Sequence, residues 1–109
     1  MNGKEPHYDL AEVKRLIREG RYRTTRKSCS WLIAHGHYAE ASCDMILSLE
    51  SAEFFESSPP RSVDGAWADV YRCHYDEGGL RGVFYVKFIV DDTFGEVIVM
   101  SCKEWGYAW

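Results

Sequence analysis

No apolar run in the sequence approaches the roughly 20 residues that a membrane-spanning helix requires. There is no C-x-x-C pair, no histidine at zinc-finger spacing, no internal repeat and no low-complexity tract. Each absence removes a class: helical membrane spans, zinc fingers, and solenoid arrays. The four cysteines, Cys29, Cys43, Cys73 and Cys102, are widely spaced and read as free thiols, with a zinc site assembled from distant ligands as the alternative. The first residues, MNGKEPHYDL, lack the apolar stretch of a signal peptide, so a cytoplasmic protein is the expectation. No metal or cofactor is expected.

What is present is the material of one globular domain. At 46% hydrophobic and 28% charged residues, the chain has too much apolar content for disorder, and its 109 residues suit a single core spanning 1–109. The net charge of −4 hides an asymmetry. Residues 1–30 carry eight Lys/Arg against four Asp/Glu, and residues 31–109 carry five against thirteen. Arg21, Arg23, Arg26 and Lys27 form a basic segment able to meet nucleic-acid phosphates or an acidic partner, since attraction follows local field more than overall charge. A solvated helix junction is the plainer reading.

Asp9 and Glu12 stand at capping-box spacing, and Leu10, Val13, Leu16 and Ile17 recur at helical spacing, which predicts a helix over 9–19 ended by Gly20. An extended piece at 22–24 leads to Thr25, the expected N-cap of a second helix that stops near Gly36. Ala41, Met45 and Leu49 mark a third helix over 38–49. A short turn at 51–57 is expected to present Phe54 and Phe55 inward, and Pro59 and Pro60 fall in a loop over 57–65. From residue 66 the pattern changes to three strands, AWADVYRCHY, VFYVKFIV and EVIVMSCKEW, joined by turns at 78–82 and 91–96. The expected fold is therefore α+β, with N-terminal helices covering one face of a C-terminal three-stranded antiparallel sheet.

Alternation along the second strand puts Phe84, Val86, Phe88 and Val90 on the core face and Tyr85, Lys87 and Ile89 on the other. If Asp91 pairs with Val97, Tyr85 falls opposite Lys103 and Lys87 opposite Ser101. A phenol and two ammonium groups on one face suit phosphodiester chemistry. RNA cleavage needs a base for the 2′-hydroxyl, positive charge for the phosphorane and a proton for the leaving 5′-oxygen. Unperturbed tyrosine and lysine titrate near about 10, so such a site needs pKa values lowered by proximity and desolvation. Ordinary cross-strand polar pairs on a solvent face are the alternative. Among the aromatics, Trp67 and Tyr71 read as core and Trp105 as a base-stacking candidate on the face of Lys103, with Tyr107 and Trp109 in the tail.

The segments PHYDLAEVKRLIREG, RTTR, FFESS, AWADVYR, VFYVKF and MSCKEW, in this order, span nearly the whole chain. In them the sequence resembles the MqsR family of bacterial toxin–antitoxin systems, RNA-cleaving toxins (mRNA interferases) of RelE-like fold. The resemblance implies sequence-specific, ribosome-independent cleavage of messenger RNA, inhibition of translation and growth, and a cognate antitoxin partner, and the lack of an Asp/Glu cluster at divalent-metal spacing beside Tyr85 and Lys103 makes a metal-independent mechanism the expectation. It also implies a catalytic set of a lysine in the segment matching FFESS, a glutamine in that matching AWADVYR, and the tyrosine and lysine of the last two strands. The last pair correspond to Tyr85 and Lys103. Glu56 stands where the first lysine is expected, and Ala68 stands where the glutamine is. Two readings follow. In one, Tyr85 and Lys103 form a sufficient core assisted by Lys87, Arg72 or His74, with Glu56 as a general base and Arg61 restoring positive charge. In the other, the chain is a weakened or inactive toxin homologue that binds antitoxin or RNA.

Overall fold

The computed structural model describes residues 4–60 and 65–106. Helix α1, Leu10–Arg18, starts where expected: Asp9 caps it by accepting from the Ala11 N–H at 3.3 Å. Glu12 does not complete a capping box, because Arg15 takes its carboxylate. At the other end the Gly20 N–H donates to the Ile17 carbonyl and the Arg21 N–H to the Leu16 carbonyl, the paired bonds of a Schellman motif. The stripe of Val13, Leu16 and Ile17 is buried.

The second helix is shorter than its pattern suggests. Thr25 and Ser28 cap one another reciprocally, but this closes a separate turn, and α2 proper spans only Ser30–Ala34 before Gly36 ends it. Helix α3, Ala41–Ser48, buries Met45 and Ile46. A 3₁₀ turn, Ser51–Glu53, follows.

Among the described residues the sheet has five strands, not three. They are β1 (Tyr22–Arg23), β2 (Phe54–Ser58), β3 (Ala68–Glu77), β4 (Leu80–Asp91) and β5 (Glu96–Glu104), in the order β1-β5-β4-β3-β2. The central three form the expected antiparallel meander. The additions are β1, parallel to β5, and β2, antiparallel to β3. The segment expected as a turn at 51–57 thus supplies an edge strand, and its two phenylalanines part at a bulge between Phe54 and Glu56. Phe54 packs on Tyr71 with ring centres 5.5 Å apart, whereas Phe55 points away from the core and is 47% exposed.

The β3–β4 turn is tighter than the five residues expected. Glu77 pairs with Leu80, and only Gly78 and Gly79 lie between, at φ 60° and 84°. A two-residue turn of this hand needs positive φ at both positions, which glycine supplies without strain. The β4–β5 turn departs differently: Asp91 pairs with Glu96, one residue short of the expected Val97. A bulge between Lys87 and Phe88 then takes up one residue of β5, Met100, and restores the anticipated pairs, Lys87 with Ser101 and Tyr85 with Lys103.

All three helices pack against one sheet face, α1 and α2 against β5 and α3 against β3 and β4. Between the layers lie Leu32, Met45, Ile46, Tyr71, Phe84 and Phe88, each almost fully buried and each contributing about 1.5–3 kcal/mol by burial. Trp67 is only partly buried and stacks on His7 at 6.2 Å, a correction to its reading as core. Beside it, fully buried Asp69 accepts from the His7 and Tyr8 backbone N–H groups, both at 2.9 Å, and so ties the N-terminal arm to β3. Among the described residues, the other sheet face carries no helix.

Candidate active site on the open sheet face

The uncovered face is built by alternation along four strands, with bulges in β2 and β5 that shift its phase. On β4, Phe84, Val86 and Phe88 are buried while Tyr85 and Lys87 between them are half-exposed. Cross-strand pairing then aligns two rows. One runs Arg72, Tyr85, Lys103 across β3, β4 and β5, and the next runs Glu56, Val70, Lys87, Ser101 across β2 to β5. Three cations, one phenol and one carboxylate therefore share a small area.

Within the first row the Lys103 ammonium lies 5.2 Å from the centre of the Tyr85 ring. Burial first, and then the like charge of Lys87, lower the Lys103 pKa below the ordinary lysine value. Trp105, just past β5, is held by its backbone N–H donating to the Val83 carbonyl at 2.9 Å. Its ring lies 4.7 Å from the Arg72 guanidinium, 5.8 Å from Tyr85 and 5.0 Å from Phe55. Aromatic and cationic groups thus alternate across the face.

The candidates named from the sequence separate into three groups. Tyr85, Lys103, Lys87, Arg72, Glu56 and Trp105 lie together. His74 is on the same face, one step along β3, where Glu53 receives both its backbone N–H at 2.7 Å and its ring Nδ1 at 3.2 Å. Arg61, Tyr107 and Trp109 lie outside the described residues. Phe55 is the aromatic that sequence reasoning placed on the wrong side. The register shift between Phe54 and Glu56 places Phe55 at a bulge, which no short-range pattern in the sequence shows.

Two clefts elsewhere contain none of these residues. One of about 980 Å³ opens between the N-terminal arm, α1 and Leu49–Ser51, and another of about 530 Å³ lies beside Tyr75 and Gly78. No group of three or more His, Cys, Asp or Glu among the described residues is arranged to hold a metal ion. Among the described residues, no helix is long and apolar enough to cross a membrane.

Residues 5–104 match the family model described as motility quorum-sensing regulator, toxin of MqsA. The chain is also 31% identical, over 104 residues, to the mRNA interferase toxin MqsR of Escherichia coli (strain K12), a match covering 95% of this chain and 99% of that protein.

Proposed function

Because the chain belongs to the MqsR toxin family, we propose that it is a toxin endoribonuclease, an mRNA interferase that cleaves messenger RNA on its open sheet face. The observation that carries the site is the single cross-strand row of Arg72, Tyr85 and Lys103. Cleavage breaks the P–O5′ bond as the 2′-oxygen attacks phosphorus, so one proton leaves the 2′-hydroxyl and one reaches the 5′-oxygen. Lys103, whose ammonium gives up its proton more easily than an ordinary lysine, is the general base. The Tyr85 phenol is the general acid. Arg72 and Lys87 hold the charge of the phosphorane, and Trp105 stacks a neighbouring base. The group types gathered on this face are two amines, a guanidinium, a phenol and one carboxylate, so the reaction is assigned to acid–base chemistry by side chains.

Glu56 is the feature that opposes this reading, since a carboxylate repels phosphate. In its row it lies beyond Val70 from Lys87, not in the Tyr85 row, so it weakens the local positive field without occupying the place of the acid or base. Sequence specificity, neutralisation by a cognate antitoxin, a cytoplasmic location and a RelE-like arrangement of the domain follow the family and belong to this proposal.

The test is incubation of purified protein with RNA in EDTA. Wild type is expected to cleave it, and Tyr85→Phe and Lys103→Ala each to lose about 10²–10⁴-fold in rate, the usual contribution of a positioned acid or base. RNA left intact by the wild type at high protein concentration would sink the proposal.

A further inference from the structure

An RNA strand whose scissile phosphate lies over Tyr85 and Lys103 has to leave the open face in some direction, and fixed charge differs by direction. Toward the β4–β5 turn it meets Asp91, Asp92 and Glu96 against two guanidinium groups, Arg23, paired with Glu96 at 2.7 Å, and Arg21 beside Gly95, paired with Glu19 at 3.5 Å, so carboxylates outnumber cations there. Toward the β3–β4 turn it meets Asp76 and Glu77, with Arg81 beside Asp76 at 3.8 Å. Across β2 it meets Glu56 and then Glu53.

The remaining way is over the outer edge of β5. There the chain after β1 runs alongside β5, since the Val97 N–H donates to the Arg21 carbonyl and the Cys102 N–H to the Ser28 carbonyl, both at 3.0 Å. The second of these bonds anchors the segment one residue from Lys103. The reciprocal bonds of Thr25 and Ser28, 2.9 and 3.0 Å, make a closed turn with Arg26 and Lys27 at its tip. Both are exposed, and neither has an ion-pair partner among the described residues.

We infer that Arg26 and Lys27 form a phosphate-binding rim that takes the single-stranded RNA backbone flanking the scissile bond. The inference rests on the cleavage reading above, because that reading places the scissile phosphate. The rim adjoins the strand carrying Lys103, and the other three exits are acidic, so the substrate is favoured over an acidic protein as its occupant. Net charge does not argue against this, because a phosphate chain responds to the field it passes through.

The experiment measures binding of a 2′-O-methylated single-stranded oligonucleotide, which lacks the attacking hydroxyl, across a range of salt. Each neutralised phosphate on a single strand contributes about 0.7 to the slope of log affinity against log salt. The double variant Arg26→Gln, Lys27→Gln should therefore lose about 1.4 from that slope. The charge-keeping double variant Arg26→Lys, Lys27→Arg should recover it, which separates lost charge from lost folding. In cleavage, the neutral variant should raise KM for long RNA more than for an oligonucleotide ending short of the β5 edge. An unchanged slope in a protein that cleaves overturns the rim and leaves the cleavage reading standing. A lowered slope in a protein that binds but never cleaves keeps the rim and overturns the nuclease. Loss of antitoxin binding with an unchanged RNA slope would make the segment a protein-docking surface and overturn the inference.

Discussion

Lys103 has two burdens that act on its proton in the same direction: partial burial, which disfavours the charged form, and the neighbouring charge of Lys87. Lys87→Gln removes the second. The Lys103 pKa then rises toward the ordinary lysine value, so less free amine exists at a given pH, and the rising limb of kcat/KM against pH moves to higher pH. A limb that stays in place would show that Lys103 is not the base. Glu56 is tested by its neutral isostere. Glu56→Gln takes a negative charge off a phosphate-binding face, so the KM for RNA should fall severalfold at low salt and less at high salt, with cleavage retained. Loss of cleavage in that variant would instead assign the base to Glu56.

At the scale of elements, the bulge in β5 decides the site. Val97 and Val99 are buried, so strict alternation would turn Ser101 and Lys103 into the core as well. The extra residue at Met100 shifts the phase, burying Cys102 and turning Lys103 outward beside Tyr85. The pairing is open to a direct check. In Tyr85→Cys, Lys103→Cys protein, mild oxidation should form a cross-strand disulfide, read as a mass change on blocking free thiols, because directly opposed strand positions approach within bridging distance. Failure to form it would mean that the two side chains face opposite ways. The expected pair was reached from the sequence through a turn pairing that was one residue off, and the bulge compensates for the difference.

Across the whole molecule, the four cysteines come from different parts of the chain and all end in the core as free thiols. Cys102 Sγ lies 3.5 Å from Met45 Sδ, and Cys73 Sγ 3.7 Å from the Met45 carbonyl. Burial raises the Cys43 thiol to about 12 and the Cys73 thiol to about 11, and raises Cys102 in the same direction. Thiolate is the reactive form, so an aromatic disulfide reagent at mildly alkaline pH should label native protein slowly and all four sites together as urea unfolds it. Fast labelling of one thiol in native protein would contradict this core. The same packing puts every helix among the described residues on the other side, so none of them covers the open face.

What the sequence determined by itself is what local chemistry determines. The Asp9 cap, the glycine stops at Gly20 and Gly36, and the alternation of Phe84 to Phe88 depend on neighbours a few residues away, so their signals sit within short windows. The grouping of Tyr85 with Lys103 agrees with the expectation only because the β5 bulge offsets a turn pairing one residue off. Only the tertiary structure decided the outer strands. Tyr22–Arg23 and Phe54–Ser58 are too short to show a period, and each becomes a strand because a distant edge, of β5 or of β3, offers it unpaired backbone groups. The tertiary structure also decided that Arg72 stands opposite Tyr85 and that the turn of Arg26 and Lys27 lies along the edge of β5. Those placements depend on sheet order and on a one-residue bulge, which are settled by long-range packing.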